Sequence, residues 1–419
     1  MTGERFGIVF AGGPAPAANA VINAAVMAIR RAGCEAIGVR NGYAALQAYG
    51  SDRPLVEGAD WLLFRDEHLR GLRNARGVML GTSRAHPGRP VRSLAELDDA
   101  ERADGLRRVH AGLRSLGIGG LVSIGGDGTL RTANLLHAWQ ARHVAPGERV
   151  RVVHVPKTID NDYAGIDFTF GFFTAVDTLA KELLNLRADA LATSSWFVVE
   201  CMGRRAGWLG YGAAIAGEAH LVLGVEDVDD ALSCQEEVDG ELRTFLDLDR
   251  LVDRLVDLML VREAKGKPYG TVVLTEGLVE RLPPSFVASL PRDGNSMYGF
   301  AQLQLGRMVA RRVVERFRAR TGGERKVTGV QLGYESRCAA PHAFDVILGC
   351  QLGMGAAQAL LGGQLDGVMV SASGQMELRY VPFGDLIDPA TLATEVRYVR
   401  PGSDFHRLAH ALGTRVPRR

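Results

Sequence analysis

Short apolar runs rich in β-branched residues alternate along this chain with stretches of helical periodicity. The runs are Phe6–Phe10, Leu121–Ile124, Val152–Val155, Trp196–Cys201, Leu221–Gly224, Thr271–Thr275 and Gly329–Leu332. Between them lie Ala18–Arg31, Ala100–Leu116 and Ala301–Arg318. In the last of these, Leu305, Met308, Val309, Val313 and Phe317 share one helical face. Strands that alternate with helices predict an α/β fold with mostly parallel sheets. In such folds ligands gather at the C-terminal ends of the strands. The glycine-bearing motifs of this chain all fall there, although glycines at strand ends also serve plain turns.

Composition sets the outer bounds. At 419 residues there is room for two or three domains, taking about 150 residues for each. A hydrophobic content of 47% allows a sizeable core. The net charge of +1 argues against a surface built to cover nucleic acid, while leaving room for a local anion site. Five cysteines, scattered and without a C-x-x-C pair, point to a reducing compartment rather than to disulfides or zinc. The N-terminal apolar segment runs straight into glycines, unlike a signal peptide, and no apolar run approaches the ~18 residues of a membrane span. A cytoplasmic protein is expected, with no membrane or nucleic-acid partner. The acidic stretch Glu226–Arg250 reads as a surface excursion, and Gly266–Pro268 and Leu282–Asn295 read as loops. The ten histidines are dispersed. None pairs with a Ser or Cys, none shows metal-ligand spacing, and all are expected to be structural.

Six segments carry chemistry. In "FAGGPAPAAN", Gly12 and Gly13 strip side chains from the turn after the first strand, so that backbone N–H groups and a helix N-terminus face an anion. "MLGTSRAHPGR" sets Arg84 after a Gly-Thr-Ser turn, where a guanidinium can clamp phosphate oxygens. "SIGGDGTLR" isolates Asp127 among Gly125, Gly126 and Gly128, ahead of Thr129. One carboxylate at a strand end suits a Mg²⁺ ion that shares its other positions with phosphate oxygens. The same aspartate would also serve as a helix cap. "VVHVPKTIDNDYAG" joins Lys157 and Thr158 to Asp160 and Asp162. Asp-Asn-Asp is good turn chemistry, but two acids on one loop can also divide labour: one takes a proton, worth roughly 10²–10⁴ in rate, and the other fixes geometry. In "VVECMGRRAGW" and "VVLTEGL", Arg204 and Glu276 stand at strand ends, placed to grip a phosphate and sugar hydroxyls respectively. Met202 is able to pack on a sugar or simply to fill the core.

Taken in order, "GGPAPAAN", "GGDGT", "PKTIDND", "GFFTA", "MGRRAGW", "LTEGL" and "GYESRCAAPHAFD" resemble the phosphofructokinase family over nearly the whole chain. "PKTIDND" followed by "MGR" is close to diagnostic, and the longer C-terminal half resembles the branch that contains many pyrophosphate-using members. The resemblance implies two doubly wound, three-layer (αβα) Rossmann-like domains with the active site in the cleft between them. Residues 1–171 with about 337–395 would bind the phosphoryl donor, and residues 172–336 with about 396–419 the sugar phosphate. It implies a Mg²⁺-dependent phosphotransferase of glycolysis, a homodimer or homotetramer, acting on the 1-hydroxyl of fructose 6-phosphate. Asp160 matches the general base, Asp162 its supporting acid and Asp127 the magnesium ligand, with Lys157 and Arg204 sharing the catalytic work. Gly12, Gly13, Arg84, Gly126, Gly128 and Thr129 match the donor side. Thr158, Met202, Gly203, Arg204, Glu276, Tyr334 and Arg337 match the sugar-phosphate side.

The donor is either ATP or pyrophosphate. An aspartate after "GGD" would repel the α-phosphate of ATP by ~4 kcal/mol for unit charges near 4 Å. The residue here is Gly128, paired with Lys157, a combination that resembles an ATP-using subset, and ATP is favoured. The family's "PAPG" glycine is Ala17, and two arginines that grip the 6-phosphate from a neighbouring subunit are replaced by Ser195 and Thr328, with Arg325 and Lys326 nearby. These departures leave sedoheptulose 7-phosphate as an alternative acceptor, and a catalytically reduced regulatory paralogue as an alternative role.

Overall fold

In a computed structural model of the chain, which describes residues 4–289 and 303–417, the apolar runs become strands at the expected places. In chain order the strands are β1 (Arg5–Ala11), β2 (Glu35–Val39), β3 (Trp61–Leu63), β4 (Ile118–Gly125), β5 (Arg151–Pro156), β6 (Trp196–Cys201), β7 (Leu221–Leu223), β8 (Ser233–Val238), β9 (Glu241–Leu246), β10 (Gly270–Thr275), β11 (Val327–Leu332), β12 (Val368–Ser373) and β13 (Glu377–Pro382). The chain divides into two compact units. One comprises Met1–Ile159, Tyr163–Thr174 and Arg337–Val396; the other comprises Asp160–Asp162, Ala175–Ser336 and Arg397–Arg419.

The first unit holds a seven-stranded sheet in the order β13-β12-β5-β4-β1-β2-β3. Its central pairs are parallel, and only the outer strands β13 and β3 run antiparallel to their neighbours. The strand order therefore reverses at β1, between β4 and β2, which places the ends of β1 and β4 at a topological switch point. The helices Ala18–Arg31 and Ala343–Leu361 pack closely along one another. Gly353 permits this: a Cβ there would lie 2.3 Å from the Val21 carbonyl oxygen. Asp345, buried at the start of the second helix, accepts hydrogen bonds from the Thr174 N–H (2.6 Å) and hydroxyl (2.5 Å). Among the described residues, Ala343–Leu361 is long and apolar enough to cross a membrane by length and composition, although no uninterrupted apolar run of that length occurs in it. Asp345, Gln351 and Gln358 interrupt its sequence and hide the length of the apolar face. That face is a core face, with Leu348, Leu352, Ala356 and Leu360 buried.

The second unit holds a four-stranded parallel sheet, β11-β6-β10-β7, and a separate hairpin of β8 and β9. The hairpin is the acidic surface excursion. Its core joins Trp196, Leu223 and Leu274 to the helices Leu248–Glu263 and Leu305–Thr321. The apolar stripe of the latter sits as its periodicity predicts: Leu305, Val309, Val313 and Phe317 are buried and Met308 packs at the edge. Three boundaries differ from the sequence expectation. The helix expected over Ala100–Leu116 begins at Asp104, and the one expected from Ala301 begins at Leu305, residues 301–302 lying outside the described residues. Within the expected loop Leu282–Asn295, Pro284–Ser289 is helical, proline being well placed in a first helical turn, and residues 290–295 lie outside the described part. All five cysteines are free.

Candidate active site

In the first unit, three neighbouring parallel strands end beside one another. β1 gives way to Gly12, at φ +88°, a left-handed conformation that glycine adopts without strain. The turn is pinned to the loop at Thr82 and Ser83 by two bonds: the Gly12 N–H donates to the Ser83 carbonyl (2.9 Å), and the Thr82 hydroxyl donates to the Gly12 carbonyl (2.5 Å). β4 gives way to Gly126, which caps the helix Asp127–His143. β5 gives way to Lys157, whose N–H donates to the Gly125 carbonyl (2.9 Å).

The Lys157 side chain is nearly buried, and its ammonium lies 6.0 Å from the Phe10 ring centroid. A Cβ on Gly12 would stand 3.5 Å from Lys157 Nζ, and one on Gly126 would stand 3.7 Å from it. Thus an ammonium and bare peptide groups border the same small space at the N-terminus of a long helix, a strong arrangement for a phosphate. Asp127 opens that helix, half-buried, with its first-turn position beside the cradle. A single hard oxygen donor next to a phosphate cradle fits Mg²⁺, which prefers one or two carboxylates and phosphate oxygens. A Cβ on Gly13 would lie 3.9 Å from Arg337 Nη1, so Arg337, expected on the sugar side, reaches the glycine turn of the first unit.

Two donor-side residues sit differently from a simple reading of the motif. Thr129 is buried, with its hydroxyl turned back over Gly125 and without a hydrogen-bond partner, and its N–H is engaged by the Gly126 carbonyl (2.8 Å). The space beside Gly128 is taken by His86: a Cβ at position 128 would meet the imidazole Cε1 at 2.5 Å. Sequence gave no signal for this contact, because a loop conformation sets it. Burial, then the charges of Arg89, Arg131 and Arg84, hold the His86 pKa below its ordinary value. His86 and Arg84 line a cavity of about 850 Å³ with Gln47, Arg89 and Arg102. Ala17, at the family glycine position, takes φ +64° just before the helix Ala18–Arg31, a conformation that costs a residue with a Cβ about 1–2 kcal/mol.

The strand ends of the second unit are built from different residue types. β6 leads into Met202, Gly203 and Arg204, β10 into Glu276, and β11 into Gly333 and Tyr334. Backbone bonds weave these ends together, from the Met202 N–H to the Leu332 carbonyl (3.1 Å) and from the Gly277 N–H to the Gly203 carbonyl (3.2 Å). Met202 packs directly on Gly333, whose missing Cβ makes the room. Arg204 is exposed and pairs with Glu280 at 3.2 Å, and Tyr334 is also exposed.

The loop Asp160–Asp162 belongs to this unit, held by Arg397. The Arg397 N–H donates to the Asp162 carbonyl and its guanidinium to the Asn161 carbonyl, both at 2.8 Å. Asn161, buried and at φ +56°, takes the tight turn between the two acids. Asp160, Glu335, Glu276 and Glu200 stand close enough to the Cys201 thiol for their charges to add to burial in pushing its pKa up. Glu200 is buried and accepts from the Gly306 N–H (3.0 Å), and burial raises its own pKa. Neither residue at the expected arginine positions brings positive charge: Ser195 is buried against Thr193, Thr328 lies within β11, and the neighbouring Arg325 is paired with Glu263 at 2.5 Å.

The chain is similar to known proteins over nearly its whole length. A family model described as Phosphofructokinase matches residues 5–360. A pyrophosphate–fructose 6-phosphate 1-phosphotransferase of Thermotoga maritima is 31% identical over 99% of this chain and 92% of its own length. An ATP-dependent 6-phosphofructokinase of Chloroflexus aggregans is 31% identical over 98% of this chain and 97% of its own length. Among solved structures, the phosphofructokinase of Saccharomyces cerevisiae superposes with a TM-score of 0.67 at 24% identity, covering 91% of this chain. This chain spans 45% of that yeast chain, and the likeness speaks to the fold.

Proposed function

The chain belongs to the phosphofructokinase family and is a phosphotransferase, and we propose that it moves a phosphoryl group from ATP to the 1-hydroxyl of fructose 6-phosphate. The observation that carries this reading is the pairing of chemistries on one loop. Lys157, facing Gly12 and Gly126, and Asp160, among the carboxylates of the second unit, are three residues apart. Three residues of chain reach no more than about 11 Å between the two backbone positions.

Lys157 and the N–H groups around Gly12 and Gly126 hold the donor's phosphates, with Gly13 and Arg84 beside them. Asp127 would hold the Mg²⁺ ion, which supplies neutralisation of phosphate charge. Asp160 takes the proton of the attacking hydroxyl, and Asp162 supports its loop. Thr158, Met202, Gly203, Arg204, Glu276 and Tyr334 orient the sugar phosphate, and Arg337 faces the transferring group from the Gly13 side. Catalysis rests on positioning and on charge stabilisation. In this reading the first unit binds the donor, the second binds the acceptor, and the enzyme works as a homodimer or homotetramer.

ATP is the donor we favour because the cavity of about 850 Å³ bordering His86 and Arg84 has the size of a nucleotide subsite. Pyrophosphate has no group to fill it. Initial rates with ATP and with pyrophosphate, at saturating fructose 6-phosphate, test this directly. ATP is expected to give the higher kcat/KM, and Gly128→Asp to lose ATP use selectively, since its carboxylate would also have to displace His86. Faster turnover with pyrophosphate, or full ATP use by the variant, would contradict the assignment. The uncharged Ser195 and Thr328 favour a second acceptor, sedoheptulose 7-phosphate, whose kcat/KM should then approach that of fructose 6-phosphate.

A further inference from the structure

The helix Asp404–Leu412 carries His406 and His410 one turn apart, and both rings point at Asp227, just beyond β7 in the same unit. His406 Nε2 lies 3.0 Å and His410 Nε2 2.8 Å from Asp227 Oδ1, and the two ring nitrogens are 3.3 Å apart. This corrects the expectation that no histidine has metal-ligand spacing; the signal was the H-x-x-x-H pattern near the C-terminus.

We propose that Asp227, His406 and His410 form a binding site for a divalent transition ion of the zinc class. A tetrahedral ion with bonds of about 2.0–2.1 Å holds its donor atoms roughly 3.3 Å apart. The three observed separations lie close to that edge length, so an ion can sit just off the plane of the three atoms with little movement of the side chains. Two imidazoles and one carboxylate suit zinc and its neighbours far better than Mg²⁺ or Ca²⁺, which take oxygen donors.

The carboxylate is already oriented. Asp227 Oδ2 accepts from the Tyr211 hydroxyl (2.6 Å) and from the Gly224 N–H (2.7 Å), leaving Oδ1 to the histidines. Such outer partners fix the ligands of metal sites. All three side chains are largely shielded, with 9% of Asp227, 15% of His406 and 27% of His410 exposed. The three residues line a cavity of about 680 Å³, together with Arg254 and Arg415, so there is room beside them for a water or an oxyanion to complete the shell. One local bond must yield. The Gly402 N–H now points at His406 Nδ1 (3.3 Å), and Nδ1 carries the ring proton once Nε2 gives its lone pair to an ion. The ion would clamp the C-terminal helix to the turn after β7, and none of its three ligands is among the residues assigned to catalysis.

The test is calorimetric titration of zinc chloride into the full-length, tag-free chain after exhaustive chelation. One equivalent per chain is expected to bind with a Kd below about 1 μM, to raise the thermal midpoint, and to resist millimolar Mg²⁺. His410→Ala should weaken binding by at least about 100-fold, and Tyr211→Phe by about 10-fold. Should His410→Ala not fold, His406→Ala takes its place. No uptake by the wild-type chain at 100 μM zinc would overturn the proposal, as would displacement by Mg²⁺ or equal affinity in the histidine variants. The result does not depend on the phosphotransfer reading, because none of these residues is assigned a part in it.

Discussion

The two units use the same device, a parallel sheet whose strand ends carry the working residues, and dress it in opposite charge. In the first, the ends of β1, β4 and β5 present glycines around the ammonium of Lys157, with Asp127 at one side. In the second, the ends of β6, β10 and β11 stand among Asp160, Glu200, Glu276 and Glu335, and the exposed Arg204 is paired with Glu280. Bare backbone and a fixed cation suit a polyanion. A carboxylate-rich edge suits hydroxyl groups that must be held or deprotonated. In the proposed reading the sheet supplies the platform, and the side chains at its edge set which substrate each unit takes.

That contrast can be broken in stages. The largest effect should come from Asp160→Asn, which removes the proposed base: kcat is expected to fall about 10²–10⁴-fold while both KM values stay within a few-fold. Next comes Gly12→Val, which forces a branched side chain into a left-handed turn 3.5 Å from Lys157 Nζ. It should lower kcat/KM for the donor by about 100-fold and leave the sugar-phosphate KM unchanged. An equal loss on the sugar side would erase the division between the units.

The smallest effect concerns stability, and it touches both units. His154 in β5 is fully buried, and burial lowers its pKa to about 3. His220, ahead of β7, is lowered to about 4, chiefly by burial and then by the charge of Arg262, while its Nδ1 accepts the Thr271 N–H at 2.9 Å. Both folded values lie below the unfolded value of about 6.5, so the unfolded chain binds the extra protons. Their contribution is intact above pH 6.5 and is lost as pH falls toward 4, by about 2 kcal/mol for each group at pH 5. Urea midpoints measured at pH 7 and pH 5 should show the drop, and His220→Gln should roughly halve it. A variant as acid-sensitive as the parent would contradict this account.

Much of this was legible in the sequence because it follows from local rules. Runs such as Phe6–Phe10 and Thr271–Thr275 are apolar over a strand's length and became β1 and β10. The glycine clusters had to lie where backbone meets ligand, and Gly12 and Gly126 do border Lys157. What stayed hidden depends on contacts distant in the chain or on mixed patterns. β13 alternates in exposure along an outer strand and carries no apolar run. His406 and His410 gain meaning only from Asp227, 179 residues away from the first of them. His86 covers Gly128 because a loop folds that way, and no spacing rule encodes it.

The most direct measurement is equilibrium binding of ATP with Mg²⁺, and separately of fructose 6-phosphate, to the wild-type chain, to Lys157→Met and to Glu276→Gln. Edges of opposite charge with separate duties predict a crossed pattern: Lys157→Met weakens ATP binding about 10-fold or more and spares the sugar phosphate, while Glu276→Gln does the reverse. Equal weakening of both ligands by both variants would contradict it.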